Sequence, residues 1–192
     1  ATTLELIIRQ VQPERLWLLA NSMGAEVAVH AFSSLYQEAD LADSQTEIEN
    51  VVLTAPDVDR AAFNDRFKQE IVALAKNLTV YVSSNDRALL MSRIINRERR
   101  LGESTLNPRN PDQLEAAAGF FNLIGKGDER LILVDVTPVN RTRNFHNFSL
   151  ETPEFFDDIY LRLVNVDMPK SRPEYRIETS TGNVYWVLTR GR

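Results

Sequence analysis

The stretch Leu16-Trp17-Leu18-Leu19-Ala20-Asn21-Ser22-Met23-Gly24 decides how the chain is read. An apolar run leads straight into a small residue, a serine and a glycine at alternate positions, which is the spacing of a nucleophile elbow between a strand and a helix. In such an elbow a tight turn lifts the serine hydroxyl clear of the sheet. The small neighbours, here Ala20 and Gly24, are expected to let strand and helix pack closely. A helix should follow, because Ala25, Val27, Ala28, Ala31, Phe32 and Leu35 recur at helical spacing. The same pattern also occurs as an ordinary strand-to-helix turn. If Ser22 is a nucleophile, the rest of the chain must supply a base and an acid.

Outward from the elbow, residues 2–11 read as an amphipathic helix, with Thr2-x-x-Glu5 as a capping box and Leu4, Ile7, Ile8 and Val11 on one face. Strands are expected over 16–20, 51–55, 78–83 and 131–137, short β-rich runs without polar alternation, as in strands covered by helices on both sides. The resulting β-α-β-α-β-α-β order predicts an α/β fold with a mostly parallel sheet and right-handed crossovers. Residues 102–130 are long for a connection and read as an insertion, either a lid or pocket wall or a solvated loop without a role. A last helix is expected over 153–164. Residues 175–179 and 184–188, around Thr181-Gly182-Asn183, predict a C-terminal β-hairpin.

Two polar groups fall just beyond the C-terminal ends of the third and fourth strands, where open α/β sheets gather reactive side chains. They are Ser83-Ser84-Asn85-Asp86 and Asn144-Phe145-His146-Asn147-Phe148. The chain order Ser22, Asp86, His146 is the order of an α/β-hydrolase triad. Each member has a plainer reading: Asp86 as the cap of a helix starting near Arg87, His146 as a loop histidine between Phe145 and Phe148. Asp57, after the second strand, is a rival acid. His30, two helical turns past Ser22, is expected to point away from the elbow, and Asp135 reads as a structural hydrogen-bonding residue.

The chain resembles an uncharacterised bacterial α/β-hydrolase family of lipase/esterase-like proteins. The likeness is carried by Leu19-Ala20-Asn21-Ser22-Met23-Gly24, by the 51–59 segment ending Ala55-Pro56-Asp57-Val58-Asp59, by Tyr81-Val82-Ser83-Ser84-Asn85-Asp86-Arg87-Ala88-Leu89, and by Val134-Asp135-Val136. It spans roughly residues 5–165 and implies Ser22 as nucleophile, Asp86 as acid and His146 as base. The family's elbow usually carries His before the serine, where this chain has Asn21. Asn21 and Asp57 are therefore candidate pocket residues.

An α/β-hydrolase sheet has several strands before the nucleophile strand, and a loop among them gives one oxyanion donor. Only one helix precedes Leu16, so the sequence reads as the C-terminal half of such a domain over 1–165, with a tail over 166–192. The 16–20 strand would then be an open apolar edge, covered by an N-terminal portion of the same protein, by a second copy, or by the C-terminal hairpin. The Met23 N–H would be the oxyanion donor present, and a missing second donor costs roughly 10² to 10³ in rate.

Composition narrows the rest. At 192 residues and 43 % hydrophobic content the chain can bury an ordinary globular core. Its 22 basic and 27 acidic residues are interspersed, giving a net charge of −5 and no contiguous basic stripe, so nothing in the sequence favours nucleic acid or an anionic membrane. No apolar run approaches the length of about 18 residues that a membrane span needs, so a soluble cytoplasmic or periplasmic protein is expected. The absence of cysteine rules out disulfides and thiolate chemistry. Two histidines without ligand spacing make no metal site, and no cofactor is implied. The sequence therefore points to a serine hydrolase of esterase or lipase type acting on a small-molecule or lipid-like ester. Acyl transfer and a non-catalytic binding module on the same fold are the alternatives.

Overall fold

Runs of Leu, Val and Ile flanked by amphipathic helices fold as their pattern dictates, into a sheet buried on both faces. The computed structural model describes residues 3–38, 47–103, 130–164, 174–178 and 184–190. Its strands are β1 Arg15–Asn21, β2 Glu47–Thr54, β3 Ala75–Val82, β4 Leu131–Asp135, β5 Glu174–Glu178 and β6 Val184–Leu188. The longer helices are α2 Met23–Tyr36, α4 Lys68–Leu74, α5 Arg87–Asn96 and α7 Pro153–Leu163. The shorter ones are α1 Thr3–Leu6, α3 Arg60–Ala62 and α6 Phe148–Glu151. The six strands form one sheet in the order β1-β2-β3-β4-β6-β5, parallel throughout except for β5, which runs antiparallel to β6. This is the α/β architecture expected, with a C-terminal antiparallel strand pair.

Alternation along β2 shows how the sheet is covered. Val51 and Leu53 point into a core with Val29 and Phe32 of α2 and Ile71 of α4. Val52 points the other way, into a core with Tyr81, Phe148 and Phe155. On this second side a buried polar group ties three elements together. The Tyr81 hydroxyl donates to Asp158, while the Arg162 guanidinium donates to Asp158 (2.9 Å) and to Glu174 of β5 (2.7 Å). Removing one partner from such a group would strand the others in a low-dielectric interior.

Several expectations need adjusting. The first helix tightens its register only as far as Leu6 and then widens into a π turn over Ile7–Val11. Leu4 and Ile8 are buried, but Val11 is turned out to solvent. Strand β2 begins four residues earlier than expected, and β4 stops at Asp135. The two strands of the tail belong to the main sheet: β6 pairs with β4 at Val134↔Trp186 and Asp135↔Val187. That pair lies at the opposite end of the sheet from β1, so the hairpin does not cover the first strand. Thr2 of the capping box, most of the 102–130 insertion and the Thr181-Gly182-Asn183 turn lie outside the described residues.

Gly102 is a structural requirement that the sequence does not announce. Its N–H donates to the Pro56 carbonyl (2.9 Å), and its own carbonyl accepts from Ser83 N–H (3.0 Å), joining the loop after β2 to the end of β3. A Cβ here would lie 2.7 Å from the Ala55 carbonyl carbon and 2.8 Å from the Pro56 nitrogen. Backbone cannot yield as a side chain can. Gly102→Ala is expected to destabilise the fold by about 1–3 kcal/mol, read as a lowered melting temperature; an unchanged melt would show that the loop relaxes freely.

Candidate active site

The site forms where β1, β3 and β4 end on the same edge of the sheet. At the end of β1, Ser22 adopts φ 53° and ψ −123°, a conformation that L-residues rarely occupy. Such strain costs on the order of 1–3 kcal/mol and persists only where neighbours over-determine it. Here they do. Ser22 N–H donates to the Thr54 carbonyl (2.9 Å), and the Ser22 carbonyl accepts from Ala25 N–H (3.0 Å) and Asp57 N–H (3.1 Å). Ala55 and Phe145, in the loops beside it, also have positive φ. Three of the five positive-φ residues other than glycine among the described residues thus lie around the elbow. Gly24 does not serve the close packing expected of it: a Cβ there would meet nothing within 4 Å, because the residue faces outward on the first turn of α2. Ala20 is the buried small residue of the elbow.

The structure brings Ser22, His146 and Asp86 into one line of hydrogen bonds. The His146 Nε2 lies 2.8 Å from Ser22 Oγ, and Nδ1 lies 2.7 Å from Asp86 Oδ2. A fully buried carboxylate can only accept, so Nδ1 carries the proton and Nε2 is left to accept from the serine hydroxyl. Asp86 also caps α5, since its Oδ1 accepts from Leu89 N–H (3.0 Å). The cap fixes the carboxylate, and the fixed carboxylate orients the imidazole.

The other candidates are placed elsewhere. Asp57 is engaged by Ser92 Oγ (2.7 Å) and by the Arg100 guanidinium (2.5 Å). It adds negative charge near His146 without touching it. Asn21 uses its amide oxygen to accept from Thr54 Oγ1 (2.8 Å) and Ser149 Oγ (3.0 Å), tying the elbow to α6. His30 faces outward and pairs with Glu26 (3.1 Å). Asp135 accepts from the Thr137 N–H (2.9 Å) and hydroxyl, as a structural residue should. Met23 opens α2, where the first-turn N–H groups lack intrahelical acceptors. Among the described residues there is no cluster of ligands for a metal ion and no helix long and apolar enough to cross a membrane.

Asn140, which holds the histidine loop, is not marked out by the sequence. Asn140 is buried and donates through Nδ2 to the Phe145 carbonyl (2.5 Å) and to Ser83 Oγ (2.9 Å). Ser83 donates in turn to Asn85 (2.5 Å), whose amide reaches the Asn140 carbonyl (3.3 Å). The loop carrying His146 is thus bonded to the loop carrying Asp86, through Asn140 on one side and Ser83 and Asn85 on the other. A pair of asparagines in two turns is the only signal, and it is indistinguishable from turn chemistry until the loops are seen together.

The Asp86 hydrogen bond raises the proton affinity of His146 above its ordinary value. Burial opposes it, and the Asp86 and Asp57 charges add to it. A base must be unprotonated to act. A raised pKa therefore moves the loss of activity on acidification to higher pH, and the acid limb of kcat/KM is expected above the ordinary 6.5. A limb at or below that value, in a pH–rate profile of the unmodified protein, would show that Asp86 does not act on His146 in solution.

A family model described as "Alpha/beta hydrolase of unknown function (DUF900)" matches residues 1–159, which include Ser22, Asp86 and His146. No curated protein and no solved structure matches the chain. With the match covering most of its length and the sheet built as such a fold requires, the chain belongs to this family of alpha/beta hydrolases.

Proposed function

We propose that the protein is a serine hydrolase that cleaves an ester or related acyl substrate. The observation that carries the reading is the continuous line from Ser22 Oγ through His146 to Asp86, at 2.8 and 2.7 Å, starting from a strained elbow. Ser22 Oγ attacks the acyl carbonyl as its proton passes to His146 Nε2. The oxyanion formed is held by the Met23 N–H at the start of α2. The tetrahedral adduct then collapses: its bond to the leaving alkoxide breaks, and Nε2 returns the proton to that oxygen. Water, deprotonated by the same nitrogen, releases the acid and restores Ser22. Asp86 holds the imidazole in the tautomer that accepts at Nε2 and stabilises the imidazolium. A non-catalytic module would be favoured by an acid or base turned away from Ser22, and the two short bonds count against it. Turnover of p-nitrophenyl butyrate tests the reading. Release of p-nitrophenol above the uncatalysed rate, abolished by prior fluorophosphonate treatment, is expected; turnover insensitive to the fluorophosphonate would overturn it.

We also propose that a further strand, from an N-terminal portion of the same protein or from a second copy, covers β1. Among the described residues β1 pairs with β2 alone and leaves Leu19 half-exposed, and such edges are normally paired or covered. Light scattering of residues 1–192 would read the open edge as self-association, and a strict monomer would remove this proposal.

A further inference from the structure

Helix α5 starts at the capping carboxylate Asp86 and is apolar on the side where a surface helix is usually polar. Its inner face is set by buried Leu89 and by Ser92, which is bonded to Asp57. On the opposite arc, at i, i+1, i+4 and i+5, stand Leu90 (40 % exposed), Met91 (56 %), Ile94 (60 %) and Ile95 (73 %). Four large apolar side chains on one outward face of a helix about 15 Å long form a contiguous patch, where scattered single exposures would need no explanation.

The charge along this helix and the histidine loop is mostly positive, with Glu98 and Glu103 as the carboxylates just beyond the helix. Residues 87–97 carry Arg87, Arg93 and Arg97 with no carboxylate, and residues 136–147, which deliver His146, carry Arg141 and Arg143 with none. Arg93 is spent on Glu103 (3.2 Å), and Arg87 lies over the Phe145 ring at 5.2 Å, joining the helix to the histidine loop. Arg97, Arg141 and Arg143 are exposed and have no carboxylate partner among the described residues. In a chain with a net charge of −5, these two segments hold five arginines beside an apolar helix face, four of them without a carboxylate partner among the described residues.

We infer that the outer face of α5, with Arg97, Arg141 and Arg143, docks on an anionic lipid surface and sets the mouth of the Ser22 site against it. An apolar helix face flanked by arginines is what an interface of acyl chains beneath anionic headgroups selects. The side chains enter the acyl boundary, and each arginine near the surface is attracted by its negative potential. The overall negative charge argues against indiscriminate adsorption to an anionic surface. The consequence for chemistry rests on the serine-hydrolase reading: the substrate would be an ester presented from a lipid surface. The docking itself does not rest on it.

The test is co-sedimentation of the unmodified chain with vesicles of phosphatidylcholine alone or mixed with phosphatidylserine. Binding to the mixed vesicles only, weakening as salt is raised, is the expected result. Ile94→Ser with Ile95→Ser, and separately Arg141→Gln with Arg143→Gln, should each weaken that binding on the order of tenfold while leaving p-nitrophenyl butyrate turnover unchanged. Ser22→Ala should bind vesicles as the unmodified chain does, which separates failure of docking from failure of the catalytic reading. Equal binding to both vesicle types, no binding, or binding untouched by both paired variants would overturn the inference. So would an isoleucine pair that only dissolves a dimer seen by light scattering, since the face would then be a contact between copies.

Discussion

Ser22→Ala is expected to lower ester turnover by on the order of 10⁴ or more, with little change in folding. In the proposed mechanism the hydroxyl is the group that bonds the acyl carbon, and its removal leaves His146 without its proton to take. Because Ser22 sits at φ 53°, the alanine inherits the backbone strain, and the melting temperature should move by little in either direction. Steady-state kinetics and calorimetry on the same preparation read the two quantities. Turnover within tenfold of the unmodified protein would mean that the observed hydrolysis does not use this elbow.

Asp86→Asn is the second large effect and separates two roles of one side chain. The asparagine oxygen can still accept from Leu89 N–H, so the cap of α5 survives and the fold should melt nearly as before. Its amide group would face His146 Nδ1 as a donor and force the proton onto Nε2, where it blocks acceptance from Ser22. A loss on the order of 10⁴ in kcat follows from the wrong tautomer alone. The residual activity should also show its acid limb at lower pH, because the hydrogen bond and charge that raise the His146 pKa are gone. Asp57→Asn should cost far less activity, since Asp57 serves Ser92 and Arg100. Equal loss from Asp57→Asn with activity kept in Asp86→Asn would transfer the acid to the second strand.

The parts of this protein that could be read ahead are those written in short range. β1 to β4 announce themselves as apolar runs, and the elbow as a spacing of five residues, because burial on both faces and a tight turn leave local marks. The order Ser22, Asp86, His146 was readable because strand ends in a parallel sheet share one edge. What could not be read depends on loops meeting across the fold. The Asn140 bonds to Phe145 and Ser83, and the placement of Gly102 against Pro56, join segments far apart in sequence and carry no periodicity. The same holds for β6, which lies between β4 and β5 through a pairing of only two residue positions with β4. Val11 misled because a helical stripe presumes 3.6 residues per turn, and the π turn over Ile7–Val11 rotates it away. The arginines and isoleucines of α5 were legible as residues. Their shared outward face was not, until Leu89 and Ser92 fixed which side of the helix points inward.

An activated Ser22 nucleophile is read most directly by covalent capture. The unmodified chain would be treated with a fluorophosphonate probe, digested, and the labelled residue located by mass spectrometry. A single adduct on Ser22 is expected, formed faster as pH rises through the raised His146 pKa and absent in His146→Ala. Label on another serine, or no label on a protein shown to be folded, would contradict it.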